Sequence, residues 1–231
     1  MRNLERRIVE ICRKAAMEFL EKKKKTVHIT EGNLQKYLGK EKITFENANE
    51  EDEVGIVRGL AWTSVGGDTL QIEVNVMPGD GKLQMTGQMG DVMKESAQIA
   101  LTYVRSVADR YGVESRYFKE HDLHLHIPEG AVPKDGPSAG ITMATAMLSA
   151  VTGKKVCASV AMTGEITLRG RVLPIGGLKE KTLAARMAHM KKVLVPDKNR
   201  PDMAEISKEI TKGMEIVFVK TMDDVVREAF V

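Results

Sequence analysis

The chain has 231 residues, which allows one large domain or one medium domain with an appendage, and either size can bury a core without disulfides or metals. Its composition, 42% hydrophobic and 29% charged with a formal net charge of +3, is that of an ordinary globular protein and does not demand a nucleic-acid partner. Cys12 and Cys157 lie far apart without metal-ligand spacing, which favours a reducing compartment, and the longest weakly polar run, residues 139–151, is shorter than the roughly 20 residues of a membrane-spanning helix.

The chain begins with a pattern typical of an amphipathic helix. Apolar side chains recur at helical spacing, at Leu4, Ile8, Ile11, Ala15 and Phe19. This pattern predicts one helix from about residue 3 to 25, ending in the lysine run Lys22–Lys25, whose charges suit a helix end better than a phosphate site. Because no capping residue or turn precedes the helix, we expect that the sequence was cut from a longer chain.

A short helix and a linker are predicted next. The segment from Thr30 to Leu38 has the pattern of a capped helix closed by Gly39, and residues 46–53 are acidic and rich in Asn. The predicted organisation has three parts: a helical segment at 1–40, a linker at 41–53 and a main domain at 54–231.

The main domain alternates strands and helices. Period-two runs begin at Ile56 and Leu70 and predict two strands, joined by a hairpin turn at 66–68. Helical spacing returns at 91–111. The remaining segments are predicted in the order strand 123–127, helix 138–151, strand 158–162, helix 178–190, strand 193–195, helix 205–212, strand 216–219 and helix 223–230. This alternation predicts an α/β fold, in the sense of a mixed α+β domain, built on a mixed sheet.

Ser138 is the first candidate for chemistry. It follows turn formers, in Pro133–Pro137, and stands where an apolar helix is predicted to begin. The first N–H groups of such a helix have no internal partners, so they can stabilise an oxyanion beside Ser138, as acyl transfer requires. A plain helix-capping role explains the same residue, and this segment alone favours it.

Lys181 is one candidate for the base that a nucleophilic serine needs. It shares a helix face with Leu178, Ala185 and Ala188, which can desolvate it, whereas Lys179 points elsewhere. An ordinary lysine is protonated at neutral pH, and burial must lower its pKa by about three units before it can act as a base. The competing interpretation is a lysine that extends past the alanines to water.

His124 and His126 are candidates of a second kind. They share one face of a predicted strand, so a Ser-His-Asp triad with Asp135 is conceivable, and two such histidines also suggest a metal site. No third ligand stands at a recognisable spacing, and a structural role is the preferred interpretation of the pair. Thr163 ends a predicted strand, where its hydroxyl can either hold a lysine amine or cap the turn.

Taken together, three motifs look like the active-site signature of Lon proteases. They are Asp135–Gly140 (DGPSAG), Thr163–Glu165 (TGE) and Gly176–Lys181 (GGLKEK). The resemblance implies that Ser138 is the nucleophile and Lys181, 43 residues later, its general base, with Thr163 as the partner of the lysine. It implies a supporting role for the other residues around them: Asp135, Gly136, Pro137, Ala139, Glu165, and the strand of His124 and His126.

The resemblance also implies a wider setting. Gly59–Thr63 resembles the opening of a Lon proteolytic domain, and residues 1–40 are similar to the end of the helical subdomain of an AAA+ ATPase module, with Arg2 matching its nucleotide-sensing arginine. No GxxxxGK[ST] phosphate loop occurs in the sequence, so we expect no cofactor or metal in this chain, ATP and Mg acting through the missing part of the module.

The function that the resemblance implies is that of a serine endopeptidase. The family degrades misfolded and regulatory proteins in protein quality control, as a homo-hexameric ring in the cytoplasm or, alternatively, the mitochondrial matrix. We expect this chain to cleave unstructured peptides without ATP, with no membrane and no nucleic acid as partner. Two alternatives remain, a His-based serine hydrolase and a non-catalytic ring scaffold, although scaffolds of this kind lack the Ser-Lys dyad.

Overall fold

The structure is a computed structural model that describes residues 2–22, 26–39, 51–63, 66–128 and 133–231, with the backbone alone for residues 2, 3 and 22. It divides into two compact units, Met1–Thr44 and Phe45–Val231. Most of the segment predicted as a linker lies outside the described residues, so the three-part organisation stays a prediction.

The first unit contains two helices that pack against each other. They are α1 (Arg2–Lys22) and α2 (Leu34–Leu38), the second preceded by a 3₁₀ turn at Glu31–Asn33. Glu18 of α1 is buried and accepts a hydrogen bond of 2.7 Å from the Tyr37 hydroxyl, which ties the helices together. The last predicted residues of the first helix, with most of the lysine run, lie outside the described residues.

The second unit carries the strands and the longer helices of the main domain. Its strands are β1 (Glu53–Val54), β2 (Ile56–Thr63), β3 (Gly66–Pro78), β4 (Leu83–Thr86), β5 (His121–His126), β6 (Lys155–Val156), β7 (Val160–Met162), β8 (Glu165–Ile166), β9 (Val172–Leu173), β10 (Lys192–Pro196) and β11 (Glu215–Val219). Its helices are α3 (Asp91–Val107), α4 (Tyr117–Glu120), α5 (Gly140–Thr152), α6 (Leu178–Met187), α7 (Arg200–Ala204), α8 (Lys208–Thr211) and α9 (Met222–Ala229).

A mixed seven-stranded sheet organises this unit, in the order β11-β10-β7-β2-β3-β5-β4. The strands β11, β10, β7 and β2 are parallel, β3 is antiparallel to both its neighbours, and β4 is parallel to β5. The predicted fold class, α/β with a mixed sheet, is therefore confirmed. Two short antiparallel pairs, β1-β6 and β8-β9, lie beside the main sheet.

Helices cover the two faces of the sheet. Because side chains alternate along a strand, β10 sends Leu194 into the apolar cluster that contains α3 and α5, and Val193 and Val195 into a second cluster with α6. Both clusters are buried at these positions. The sheet therefore has two buried faces in its centre, and α6 lies against β2 and β3 on the face opposite α3 and α5.

Several boundaries differ from the sequence-based ones. The predicted hairpin turn at 66–68 is wrong, because these residues belong to β3 and pair with Ala61–Thr63. The predicted helix at 205–212 is shorter than expected: only α8 (Lys208–Thr211) lies in this range, and it begins where the Ser207 side chain caps it by accepting from the Glu209 N–H. Among the helices of the described residues, none combines the length and apolar surface that a bilayer crossing needs.

Candidate active site

Ser138 lies in a 3₁₀ turn, Pro137–Ala139, that leads into α5. The sequence-based expectation that Ser138 opens the α-helix itself is therefore wrong by two residues, since α5 begins at Gly140. The turn leaves the N–H groups of Ser138 and Ala139 without partners inside the helix. Gly136, whose φ of 121° is open mainly to glycine, aims the chain into this turn.

Asp135 fastens the loop in front of Ser138 to the beginning of α3. Its Oδ1 accepts the Met93 N–H at 2.9 Å and the Gly136 N–H at 2.8 Å. The Gly90 N–H donates to the Lys134 carbonyl at 2.7 Å, so the loop is held at a second point. Asp135 thus serves the backbone of the serine loop and is not engaged with a histidine in the bonds described, as the alternative triad required.

Lys181 is buried on the inner face of α6. Its residue is 3% exposed, and Leu178, Ala184, Ala185 and Ala188 on the same face are all buried, as the helical spacing predicts. Lys179 is exposed. The inner face of α6 can approach the sheet closely because Gly67 of β3 has no side chain, and a Cβ there would stand 1.9 Å from the Glu180 carbonyl oxygen.

Three side chains from three separate elements meet at the Lys181 amine. Lys181 Nζ lies 2.9 Å from Ser138 Oγ and 3.1 Å from Thr163 Oγ1. Thr163, fully buried directly after β7, also donates from Oγ1 to the Ser138 carbonyl at 3.3 Å. The Gly164 N–H donates to the same carbonyl at 2.8 Å, so the strand end fixes the serine backbone and the lysine amine together.

Burial changes the acid–base behaviour of this lysine. Desolvation lowers the pKa of Lys181 from its ordinary value of 10.5 to about 8. The cause is the removal of water around the ammonium form, which the apolar face of α6 brings about. An amine with this pKa is partly neutral near pH 7, so it can accept a proton from a neighbouring hydroxyl.

The predicted histidine candidates lie elsewhere. His124 Nε2 and His126 Nδ1 stand 3.0 Å and 2.7 Å from Thr86 Oγ1, on the outer strands β4 and β5. Neither histidine lines the cleft that holds Ser138 and Lys181. Within the described ranges, no group of three or more His, Cys, Asp or Glu side chains is arranged to hold a metal ion. The structural role preferred for both histidines stays a prediction.

Two other predicted site residues do not reach the cleft. Glu165 begins β8, pairs with Leu173 and is absent from the cleft lining. The side chain of Arg2, the predicted nucleotide sensor, lies outside the described residues. Pro137 and Ala139, in contrast, line the cleft on either side of Ser138.

The cleft has a volume of about 650 Å³, and sequence reasoning missed two of its walls. One wall is the end of β2, Leu60–Thr63, including the exposed Trp62; the other is Pro174–Gly177, the segment between β9 and α6. We call this second segment the α6 lead-in. The sequence offered Gly59–Thr63 and Gly176–Gly177 as family motifs and did not single out Pro174 or Ile175. No local signal marks any of these residues as walls, because the cleft forms only when β2 and α6 come together.

Comparisons with known proteins identify the class to which this fold and cleft belong, a proteolytic domain. The family model described as the Lon protease (S16) C-terminal proteolytic domain matches residues 28–231. The Lon protease of Lachnoclostridium phytofermentans is 56% identical over all of this chain and 33% of its own length. Lon protease 1 of Bacillus subtilis is 52% identical over 100% of this chain and 30% of its own length, and Lon protease 1 of Syntrophobacter fumaroxidans 54% over 100% and 28%.

The chain belongs to the Lon protease family. It spans about a third of the length of the curated relatives named above.

Proposed function

We propose that this chain is a serine endopeptidase in which Ser138 is the nucleophile and Lys181 the general base. The observation that supports this proposal most directly is the 2.9 Å separation of Lys181 Nζ and Ser138 Oγ at a lysine whose pKa burial lowers to about 8. Geometry and protonation state agree here, and general-base catalysis needs both.

The arrangement assigns each proton a path. Neutral Lys181 accepts the proton of Ser138 Oγ as this oxygen bonds to the carbonyl carbon of the peptide. The resulting ammonium gives the proton to the leaving amine when the C–N bond breaks, which leaves an acyl ester on Ser138. Lys181 then activates water in the same way to hydrolyse the ester. Thr163 Oγ1, 3.1 Å from the amine, holds Nζ in place during these transfers.

Backbone N–H groups supply the stabilisation of the oxyanion. Those of Ser138 and Ala139 lie in the first turn before α5 and have no partners within the helix. Donors that stand ready beside a developing alkoxide contribute roughly 3 kcal/mol each in serine peptidases. The fixed backbone around Ser138, held by Gly164 and Thr163, keeps these donors in position.

The substrate that fits this cleft is an extended polypeptide. β2 pairs with β7 only at Arg58 and Gly59, and it continues to Thr63 along the cleft. A peptide laid in the cleft can add to this part of β2 as a further strand, whose main-chain hydrogen bonds are independent of sequence. A peptidase that acts on misfolded and regulatory proteins needs this tolerance of different side chains.

The wider assignment follows the family. We propose that the full-length protein is an ATP-dependent protease of protein quality control, with an AAA+ module that binds ATP and Mg, a homo-hexameric ring and a cytoplasmic location, the mitochondrial matrix being the alternative. The present chain alone is proposed to cleave unstructured peptides without nucleotide. The 28–33% of each relative that it covers leaves room for such a module elsewhere in the full-length protein.

A peptide boronate tests the proposal directly. The wild-type chain should form a boronate adduct that mass spectrometry of digests maps to Ser138, and Ser138→Ala should abolish it with little change in thermal stability. In a separate assay with a peptide substrate, Lys181→Arg should slow the acylation of Ser138 about a hundredfold to ten-thousandfold, because a guanidinium cannot act as a base. Lys179→Arg is the matched control on the same helix and should cost little. An adduct on another residue, or full acylation in Lys181→Arg, overturns the proposal.

A further inference from the structure

Asn199 lies behind the cleft, with a buried side chain that the mechanism above does not use. It is 2% exposed and ends the 3₁₀ turn Asp197–Asn199 that follows β10. At this position it is the N-cap residue of α7, yet its side chain makes no capping hydrogen bond. An asparagine at an N-cap ordinarily accepts a backbone N–H of its own helix. The hydrogen bonds of this side chain therefore go to groups other than the backbone of α7.

The Asn199 amide binds both backbone groups of Ile175 in the α6 lead-in. The Ile175 N–H donates to Asn199 Oδ1 at 3.0 Å, and Asn199 Nδ2 donates to the Ile175 carbonyl at 2.9 Å. The second hydrogen of Nδ2 goes to Asp202 Oδ2 at 2.6 Å. The amide thus meets Ile175 as a neighbouring strand would, and both of its donors are used.

The lead-in needs such a fixed point. Its second half is Gly176-Gly177, and two successive glycines give this stretch great backbone freedom. Gly177 has a φ of 67°, a conformation that glycine adopts readily. Gly177 is also the N-cap residue of α6, and its carbonyl accepts the Lys181 N–H at 3.0 Å. The position of Ile175 therefore sets this wall of the cleft, whereas α6 itself is also held by its buried face, which includes Leu178, Ala185 and Ala188.

We propose that Asn199 is a positioning residue for extended peptide substrates. It acts through Ile175, holding the α6 lead-in at the right distance from the end of β2, where Trp62 lies against Gly177. The inference rests on the proposed function, because a peptide must occupy the space between these walls. Asn199 touches neither Ser138 nor Lys181 in the bonds described, so its loss should affect the binding of long peptides more than the reactivity of the dyad.

The test compares a long substrate with a small one. Asn199→Ala should raise KM for a fluorogenic peptide of about ten residues by about tenfold or more, since loss of a positioning contact misplaces the substrate wall. Acylation of Ser138 by a small fluorophosphonate, which needs only the dyad, should change less than about threefold. Hydrogen exchange of the lead-in amides should become faster in the same variant.

Asp202→Ala is the control variant. It removes the hydrogen bond between Asn199 Nδ2 and Asp202 in α7 and leaves both hydrogen bonds between Asn199 and Ile175. It should leave the exchange of the Ile175 amide slow. If Asn199→Ala does not fold, the double variant Asn199→Asp/Asp202→Asn keeps the size of both side chains, avoids two neighbouring carboxylates and removes the donor to the Ile175 carbonyl, and the same comparison applies.

Three results would overturn the inference: equal losses with both substrates, a loss in Asp202→Ala that matches Asn199→Ala, or unchanged peptide kinetics in Asn199→Ala. A wild-type chain that the fluorophosphonate fails to label at Ser138 would instead contradict the proposed function.

Discussion

Replacing Lys181 with Met should make the domain more stable at neutral pH and less stable at alkaline pH. The residue is 3% exposed, and burial lowers its pKa from 10.5 to about 8. The folded state therefore binds this proton more weakly than the unfolded state does. Below about pH 8 this difference between the folded and unfolded pKa lowers the free energy of unfolding by its full amount, about 3 kcal/mol at 1.36 kcal/mol per pKa unit. The cost declines as pH rises from about 8 to 10.5, since the unfolded lysine then loses its proton too.

The hydrogen bonds of the amine act in the opposite direction. Met cannot replace the contacts of Nζ with Ser138 Oγ and Thr163 Oγ1, which contribute about 1 kcal/mol each. The net effect of Lys181→Met is then a gain of about 1–2 kcal/mol in the free energy of unfolding at pH 7 and a loss of about 1 kcal/mol at pH 10. The sign of the difference should change between these two values.

Urea denaturation followed by circular dichroism measures this difference at half-unit steps from pH 6.5 to 10. Subtracting the variant from the wild type removes the contribution of every other titrating group. Lys179→Met changes an exposed lysine on the same helix and should shift the free energy of unfolding by less than about 0.5 kcal/mol throughout. A difference for Lys181→Met that does not vary with pH would refute the reasoning, because it would mean that folding leaves the pKa of Lys181 unchanged.

Further predictions concern rate, packing and nucleotide. Single-turnover acylation of Ser138 should rise with pH through a midpoint near 8, where Lys181 loses its proton, and stopped-flow labelling measures it; a midpoint that moves only in a His124 or His126 variant would transfer the base to imidazole. Gly67→Ala should destabilise the domain by about 1–3 kcal/mol and slow acylation, since its Cβ would stand 1.9 Å from the Glu180 carbonyl oxygen, whereas Gly32→Ala, with no atom within 4 Å, should not. ATP should leave the rate of peptide cleavage by this chain unchanged, and an ATP-stimulated rate in the purified chain would contradict that expectation.

Local pattern was enough for much of the fold. The period-two runs from Ile56 and Leu70 and the helical spacing after Asp91 each gave an element close to the observed one. The alternation matches burial in β3, whereas β2 is buried on both faces from Val57 to Leu60. The pairs β1-β6 and β8-β9 escaped prediction because two-residue strands show no period. The prediction of a turn at Gly66 and Gly67 is wrong, since both lie in β3 and Gly67 serves the close packing of α6 against this strand.

The candidate site, too, could be predicted from the sequence only in part. Helical geometry alone placed Lys181 on the buried face of α6, and the family resemblance paired it with Ser138. Neither could locate Asn199, which reads locally as an ordinary helix cap and acquires its contact with Ile175 only through the tertiary fold. Contacts between side chains and distant backbone depend on how the chain segments pack, and no residue spacing records them.

The burial that costs stability also suits Lys181 to the proposed role of general base. At pH 7 an amine with a pKa of 10.5 is neutral in about one molecule in 3,000, whereas one with a pKa of about 8 is neutral in about one in 11, a gain of about 300-fold in free base. A weaker base takes the Ser138 proton less readily, so the gain in rate is smaller than this ratio. The highest rate is expected for an amine whose pKa is low enough to leave a useful neutral fraction at pH 7 and high enough to accept the Ser138 proton. Deeper burial could raise the neutral fraction at pH 7 by at most about elevenfold more, and it would make the amine a still weaker base. The small side chains at Ala184, Ala185 and Ala188, and Gly67 opposite, let α6 bury the lysine stem this far while leaving Nζ in contact with two hydroxyl oxygens.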